Sequence, residues 1–247
     1  MIIVLLAEGF EEIEALTPVD ILRREGFDVK TVGISGRTVT GSHGIAVVAD
    51  ALPEEIDLSM VEMAVFPGGM PGSLNLDASN YTDKVIAEVY EKGGRIAAIC
   101  AAPLVFGRRG LLSGKRATCF PGFEGELSGA TVTGEDFVTD GNITTGKGMT
   151  VSLEFARELV RVLKIKDLSE EKQTILSDKG LISAIEVVIS AKAASTSLLQ
   201  RKLSIGYGKA ASYIDKMEEC GIISGACGCS PRKVLITEEE WSAMRKA

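Results

Sequence analysis

The stretch Ala97-Ala98-Ile99-Cys100-Ala101-Ala102-Pro103 turns from an apolar run into a small-residue segment with no room for a loop. Residues 95–99 have the character of a buried strand. Residues 101–109 read as a helix with Pro103 in its first turn, where proline is tolerated because the first helical N–H groups have no intrahelical partner. A strand passing straight into a helix belongs to an α/β sheet. The residue on the corner is Cys100, at the position of a nucleophile elbow. The positive end of the following helix favours thiolate over thiol. The sharp turn also lifts the side chain toward the crevice in which open α/β sheets bind ligands. A lone cysteine is commonly buried and inert, and the corner alone leaves both readings open.

The rest of the first 166 residues has the same grammar. Residues 1–6 are a continuous apolar run, as a central parallel strand requires. A helix is expected over residues 11–24, with acids in its first turn, bases in its last and Gly26 just beyond. Strands are expected at 27–33 and 63–66, the latter ending in Pro67-Gly68-Gly69. A helix over 81–92 closes at Gly93-Gly94. Asp140-Gly141-Asn142 marks a hairpin between 137–139 and 143–145, and 150–163 is amphipathic and helical. Alternating strands and helices predict a mostly parallel, doubly wound sheet covered on both faces.

Residues 164–179 are charged and poor in large apolar side chains, and read as a linker or a frayed helix at the domain boundary, with the linker set at 167–178. Three short helical patterns follow, at 181–191, 195–203 and 208–220. Ile222-Ile223 and Val234-Leu235-Ile236 then flank a tip, which together predicts a small winged helix over 179–247. Charge divides at the same place. Residues 1–169 hold 16 Lys and Arg against 24 Asp and Glu, and residues 170–247 hold 11 against 10. The first part is too acidic to hold nucleic acid; the second is neutral and permits it. The apolar N-terminus lacks a basic flank and a cleavage site, so it reads as a strand, and no later run is long enough to span a membrane. Cys100, Cys119, Cys220, Cys227 and Cys229 form no disulfide-scaffold spacing, which suggests a reducing cytoplasm. Three cysteines near the wing without a histidine do not make a structural zinc site, and no metal is expected.

Glu11-Glu12-Ile13-Glu14, Pro67-Gly68-Gly69, the Ala-Ile-Cys-Ala corner and the closing hairpin and helix at 144–163 together resemble the DJ-one/PfpI superfamily. The resemblance implies a flavodoxin-like fold, as in class I glutamine amidotransferases. It looks more like the DJ-one branch than the protease branch, which places a histidine directly after the nucleophile where this chain has Ala101. It also implies roles. Cys100 falls on the nucleophile and Glu14 on the acid that meets its sulfur. Gly69 and Ala101 fall where backbone N–H groups face the reacting oxygen. A buried carboxyl facing a thiolate would hold its proton and could shuttle it. Some relatives carry a histidine where this chain has Phe120. His43 and Lys147 match basic positions near a partner's site, so a homodimer is implied. The activities implied are cofactor-free: glyoxalase chemistry, removal of early dicarbonyl adducts, and oxidative-stress response through Cys100. The substrate would be a small reactive carbonyl or a glycated molecule. Peptidase activity is the weaker alternative for want of the adjacent histidine.

A second resemblance covers residues 175–237. Ala193-Ala194-Ser195-Thr196-Ser197-Leu198-Leu199-Gln200-Arg201, Ile205-Gly206-Tyr207-Gly208-Lys209-Ala210-Ala211 and Asp215-Lys216-Met217-Glu218 are similar to the gamma domain of the DNA translocase FtsK. In that family three residues of the third helix read bases. Gly208, Ser212 and Asp215 stand at those positions, so two of the three readers are replaced. Arg201, Lys202, Lys209 and Lys216 remain for phosphate contacts, or they form an ordinary solvated face. Two rival readings follow: a redox-responsive DNA-binding regulator, and an adaptor whose tail binds protein.

Overall fold

The computed structural model describes residues 1–225 and 232–246, without the side chains of 165–174, 176–177, 239, 243–244 and 246. The chain divides into two units, Met1–Val160 and Arg161–Ala247.

The first unit is built on β1 (Ile2–Leu6), whose five residues are all fully buried. Helix α1 (Glu12–Arg24) follows, then β2 (Val29–Gly33) and the hairpin β3 (Thr38–Thr40) and β4 (Ala46–Val48). Next come β5 (Met63–Phe66), α2 (Gly72–Asp77) and α3 (Asn80–Val85), which runs on as a π-helical turn at Ile86–Tyr90. Strand β6 (Arg95–Ile99) leads through Cys100 into α4 (Pro103–Arg108). Beyond it lie β7 (Arg116–Ala117) and β8 (Thr131–Val132), which form a short parallel pair, and the hairpin of β9 (Phe137–Asp140) and β10 (Ile143–Gly146). The central sheet has the order β2-β1-β5-β6-β10-β9, with all neighbours parallel except the β9–β10 edge. This is the expected doubly wound, flavodoxin-like α/β architecture. In register, Phe66 lies beside Ala98 and Gly146 beside Ile99, so β5, β6 and β10 end together at one rim of the sheet. That rim is where such sheets place ligands. Under it the core packs Phe66 edge-on to Phe106 of α4, ring centroids 5.1 Å apart.

Helix α5 (Ser152–Ser177) contains no proline or glycine. Of the two readings of this stretch, linker or helix, the second therefore holds: residues 167–178 are helical as far as Ser177. Lysine, glutamate, glutamine and leucine are good helix formers, and charge alone does not break a helix. The division between the units falls inside this helix, after Val160 rather than near residue 166.

In the second unit Asp178 caps α6 (Lys179–Ala191), accepting from the N–H groups of Gly180 and Leu181 at 2.9 and 3.1 Å. Helices α7 (Thr196–Leu203) and α8 (Tyr207–Glu219) follow, and Leu181, Ile185, Val188, Leu199, Tyr213, Ile214 and Met217 make the core. The expected wing is reduced among the described residues to bridges Ile223–Val234 and Ala194–Arg232. Its tip, with Cys227 and Cys229, lies outside the described residues. A helix the sequence did not announce, α9 (Glu238–Lys246), buries Trp241 in the same core. No helix is long and apolar enough to cross a membrane among the described residues.

Candidate active site

Cys100 stands at the sheet rim with φ of 65°, in the left-handed region that non-glycine residues rarely occupy. Two backbone hydrogen bonds hold it there. Its N–H donates to the Gly146 carbonyl at 2.9 Å, and its carbonyl accepts from the Phe120 N–H at 2.8 Å. The strained corner turns the side chain off the sheet, toward the loop after β5 and the first turn of α1. The backbone N–H groups of Gly69 and Ala101 hydrogen-bond its sulfur, and the Glu14 carboxyl meets it from the other side.

Glu14 is fully buried. Its Oε2 accepts the Gly68 N–H at 3.0 Å, while Oε1 is buried with no hydrogen-bond partner. Both glycines of Pro67-Gly68-Gly69 are forced. A Cβ on Gly68 would overlap Glu14 Oε2 and lie 2.5 Å from the Cys100 Cβ, and Gly69 has φ of 89°. The backbone must come this close for its N–H groups to reach carboxylate and sulfur.

Burial, reinforced by the Glu11 charge, pushes the Glu14 carboxyl up to about 7 against the pull of hydrogen bonds from Cys100 and Gly68. Burial likewise pushes the Cys100 thiol up to about 12, and the Glu14 charge adds to the rise; the Gly69 and Ala101 N–H groups work against it. This corrects the expectation of a thiolate favoured by the helix end. Helix α4 begins only at Pro103, and desolvation beside a carboxylate outweighs two N–H groups. As pH rises through neutrality the carboxyl gives up its proton first and the sulfur keeps its own.

The other candidates are placed differently. The His43 ring, largely exposed, bonds Glu12 Oε2 at 2.9 Å and approaches Glu11 Oε1 at 3.5 Å. Glu12 is buried one position from the exposed Ile13; burial works to raise it, but the His43 ring and the His43 and Ile45 N–H groups hold it down to about 2. That brace between α1 and the β3–β4 hairpin was not anticipated, because nothing in the sequence pairs residues of α1 with a loop some thirty positions on. Glu11, Glu12 and His43 could each offer a ligand to a cation, but both Glu12 oxygens are already engaged. The Lys147 ammonium donates to the Gly134 carbonyl at 3.3 Å. Neither base hydrogen-bonds Cys100 or Glu14 among the described residues. Phe120 lies at the site, bonded through its backbone to Cys100. Cys119 is buried, and burial and the Glu124 charge raise its thiol to about 11.

With this geometry in view, the comparison with known proteins is decisive on family: a DJ-1/PfpI family model matches residues 1–162. The chain belongs to the DJ-1/PfpI family. It is 37% identical over 173 residues to Protein DJ-1 homolog B of Arabidopsis thaliana, a match covering 69% of this chain and 40% of that one. It is 29% identical over 166 residues to Deglycase PYRAB04690 of Pyrococcus abyssi, covering 66% of this chain and 99% of the relative. The chain spans less than half the length of the two Arabidopsis relatives, at 40% and 46%. Among solved structures, a cysteine-to-alanine mutant of a DJ-1 superfamily protein from Salmonella typhimurium superposes with a TM-score of 0.63 at 36% identity, covering 66% of this chain and 89% of that one. An Ftsk gamma domain model matches residues 176–237.

The raised Glu14 carboxyl has a measurable consequence. It titrates near 4.5 in an unfolded chain and about 7 in the fold. Between those values the folded protein keeps a proton that the unfolded chain has lost. The stability tied to this group is complete below pH 4.5 and is lost as pH rises through 7, by about 3 kcal/mol. Glu14→Gln keeps an acceptor for Gly68 and cannot ionise. In chemical denaturation the variant should gain on the wild type by about 3 kcal/mol between about pH 4.5 and pH 8. A difference that does not change with pH would overturn this reading of Glu14.

Proposed function

We propose that the first unit is a cysteine-dependent enzyme acting on reactive dicarbonyls or their adducts, in the manner of a glyoxalase or deglycase. The observation that carries this is the Cys100–Glu14 pair: a nucleophile between two backbone N–H donors and facing a buried carboxyl that titrates at about 7. A relative named as a deglycase supports the same reading.

The chemistry needs no external oxidant. The Cys100 sulfur bonds the aldehyde carbon as its proton passes to the Glu14 carboxylate and on to the carbonyl oxygen, giving a hemithioacetal. The Gly69 and Ala101 N–H groups stabilise the charge on that oxygen as it develops. Glu14 next removes the C1 proton and returns one to C2, while the C1 hydroxyl proton passes to the C2 oxygen, so C1 is oxidised as C2 is reduced and a 2-hydroxy thioester results. Water releases the 2-hydroxy acid and restores the thiol. A carboxyl poised near neutrality suits both directions of transfer. The same cysteine, beside a carboxyl able to hydrogen-bond an oxidised sulfur, also suits an oxidative-stress response.

The working form is proposed to be a homodimer. Ile13 and Leu16 of α1, Leu153 of α5, and Ile45 and Val48 around the hairpin are exposed apolar residues. Ile13, Leu16, Ile21 and Leu153 line one shallow groove, and a two-fold copy of such a patch covers itself. His43, on the same hairpin, would then reach the partner's site.

The second unit is read as a salt-sensitive DNA contact. Arg201, Lys202 and Lys209 are exposed and Lys216 is half-buried, while Ser212 and Asp215 share the exposed face of α8. These groups reach phosphates but offer little to read bases.

Three outcomes are expected. Wild-type protein should convert methylglyoxal to lactate; Cys100→Ser should abolish turnover and Glu14→Gln should lower kcat by about 100-fold or more. Full turnover in Cys100→Ser would sink the proposal. Leu16→Asp should halve the mass measured by light scattering, and a wild type already monomeric would rule the dimer out. Duplex DNA binding, read by fluorescence anisotropy, should weaken with salt at a log–log slope of about −3, and Arg201→Ala with Lys209→Ala should reduce the slope by about 2. No binding at low salt would exclude the DNA reading.

A further inference from the structure

Phe120 is a large apolar side chain, 45% exposed, at the mouth of a nucleophile's site. Its backbone explains its position but not its side chain. The N–H donates to the Cys100 carbonyl, and the carbonyl accepts the Phe123 N–H at 3.1 Å. Pro121 and Gly122, with φ of 100° at Gly122, complete a turn of the type II pattern. Any residue with an N–H could make those bonds, and a polar one would be better solvated. The turn therefore presents a rigidly mounted aromatic ring to the solvent side of the site.

What the ring faces is also defined. A Cβ placed on Gly148 would lie 3.1 Å from the Phe120 ring and 3.9 Å from Glu14 Oε1. Glycine at 148 thus leaves the space between the ring and the carboxyl free of a side chain, and Oε1 is the buried oxygen without a partner. Met70 and Met149, next in the chain to Gly69 and Gly148, are exposed as well. Such adaptable thioethers suit a variable apolar ligand. The charged groups nearby are acidic: Glu11, Glu14, and Glu124, which accepts from the Gly122 N–H at 2.7 Å. The basic candidates are engaged elsewhere, Lys147 with Gly134 and His43 with Glu11 and Glu12.

We propose that the Cys100 site selects neutral electrophiles in which an apolar alkyl or aryl substituent lies beyond the carbonyl adjacent to the reacting carbon, and that Phe120 is the residue that makes the selection. For substrates this rests on the carbonyl-enzyme reading above and narrows it to α-oxoaldehydes with an apolar substituent. The sulfur still adds to the aldehyde carbon and the thiol proton still ends on its oxygen; the ring acts only on the substituent. Covering an aryl group against Phe120 removes apolar surface from water, which is worth roughly tenfold in rate constant or more.

The test separates selection from turnover. The full-length protein is alkylated with iodoacetanilide and with iodoacetamide. The rate at Cys100 is read by peptide mass spectrometry, and the ratio is divided by that for free glutathione. The expected normalised ratio is about tenfold in the wild type, near one in Phe120→Ser, and restored in Phe120→Leu, which also controls for folding. A wild-type ratio near one overturns the proposal, and so does a high ratio that survives in Phe120→Ser. In parallel, kcat/KM for phenylglyoxal should exceed that for glyoxal by a similar factor. A preference for glyoxal overturns the narrowed substrate class. If neither dicarbonyl turns over while the alkylation ratio stays high, the carbonyl-enzyme reading fails and selection of apolar electrophiles by Phe120 stands.

Discussion

The structure of the first unit depends on holding one non-glycine residue, Cys100, in the left-handed region. A residue so placed costs about 1–3 kcal/mol and persists only where its surroundings over-determine it. Here the determinants are two backbone hydrogen bonds, to Gly146 at the end of β10 and from Phe120 on the loop beyond α4. The strand order supplies the first, because β6 lies between β5 and β10 and all three end at one rim. Close approach explains the small residues around it. A Cβ on Gly146 would meet Phe155 at 2.8 Å and Ile99 at 3.0 Å, and one on Gly68 would meet Cys100 itself. The sheet, the glycines and the turn at 120–123 serve one geometric end.

The electrostatics of α1 show how much a local environment decides. Glu12 and Glu14 are both buried, two residues apart on one helix, yet one is held down to about 2 and the other pushed up to about 7. Burial raises both. The difference is the supply of donors. Glu12 receives the His43 ring and the N–H groups of His43 and Ile45, whereas Glu14 receives the Gly68 N–H and the neighbouring thiol, and it feels the Glu11 charge. Glu12 is thereby a permanent anion that fastens the hairpin. Glu14 is a carboxyl whose proton can move near neutral pH. Such a separation of paired carboxyls by environment is how acid and base roles are divided in one fold.

Much of this was legible in the sequence where one physical rule governed. The apolar run at 95–99, the small residues after Cys100 and Pro103 fixed the corner. The Gly68-Gly69 pair was marked by the family resemblance, and the close backbone approach is its physical reason. Where two rules competed, the reading went astray. The helix end argued for a thiolate at Cys100, but burial and Glu14 argue harder. The charge of 167–178 left linker and frayed helix both open, and its residue types decide for helix. Short-range pattern also says nothing of β7 and β8, whose two-residue strands carry too little signal, or of α9, whose single large anchor is Trp241.

Helix α1 carries the most instructive inversion. Its acids Glu12 and Glu14 are buried while Ile13 is 48% exposed and Leu16 36% exposed. The rest of the helix buries Ala15, Val19 and Leu22 as an amphipathic helix should, so periodicity assigns the wrong residues to solvent only around the first turn. Burying two carboxyls costs stability unless each is satisfied. Glu12 is satisfied by the hairpin, whereas Glu14 is only partly satisfied, by the Gly68 N–H and the Cys100 thiol, and its raised titration reflects that. The apolar side chains left outside make sense if another surface covers them. The pattern of the first turn thus binds two features to one helix: a buried acid directed inward at Cys100, and apolar side chains directed outward at a proposed second copy. Sequence reasoning sees both as four consecutive residues, Glu11-Glu12-Ile13-Glu14, and only the fold sorts them.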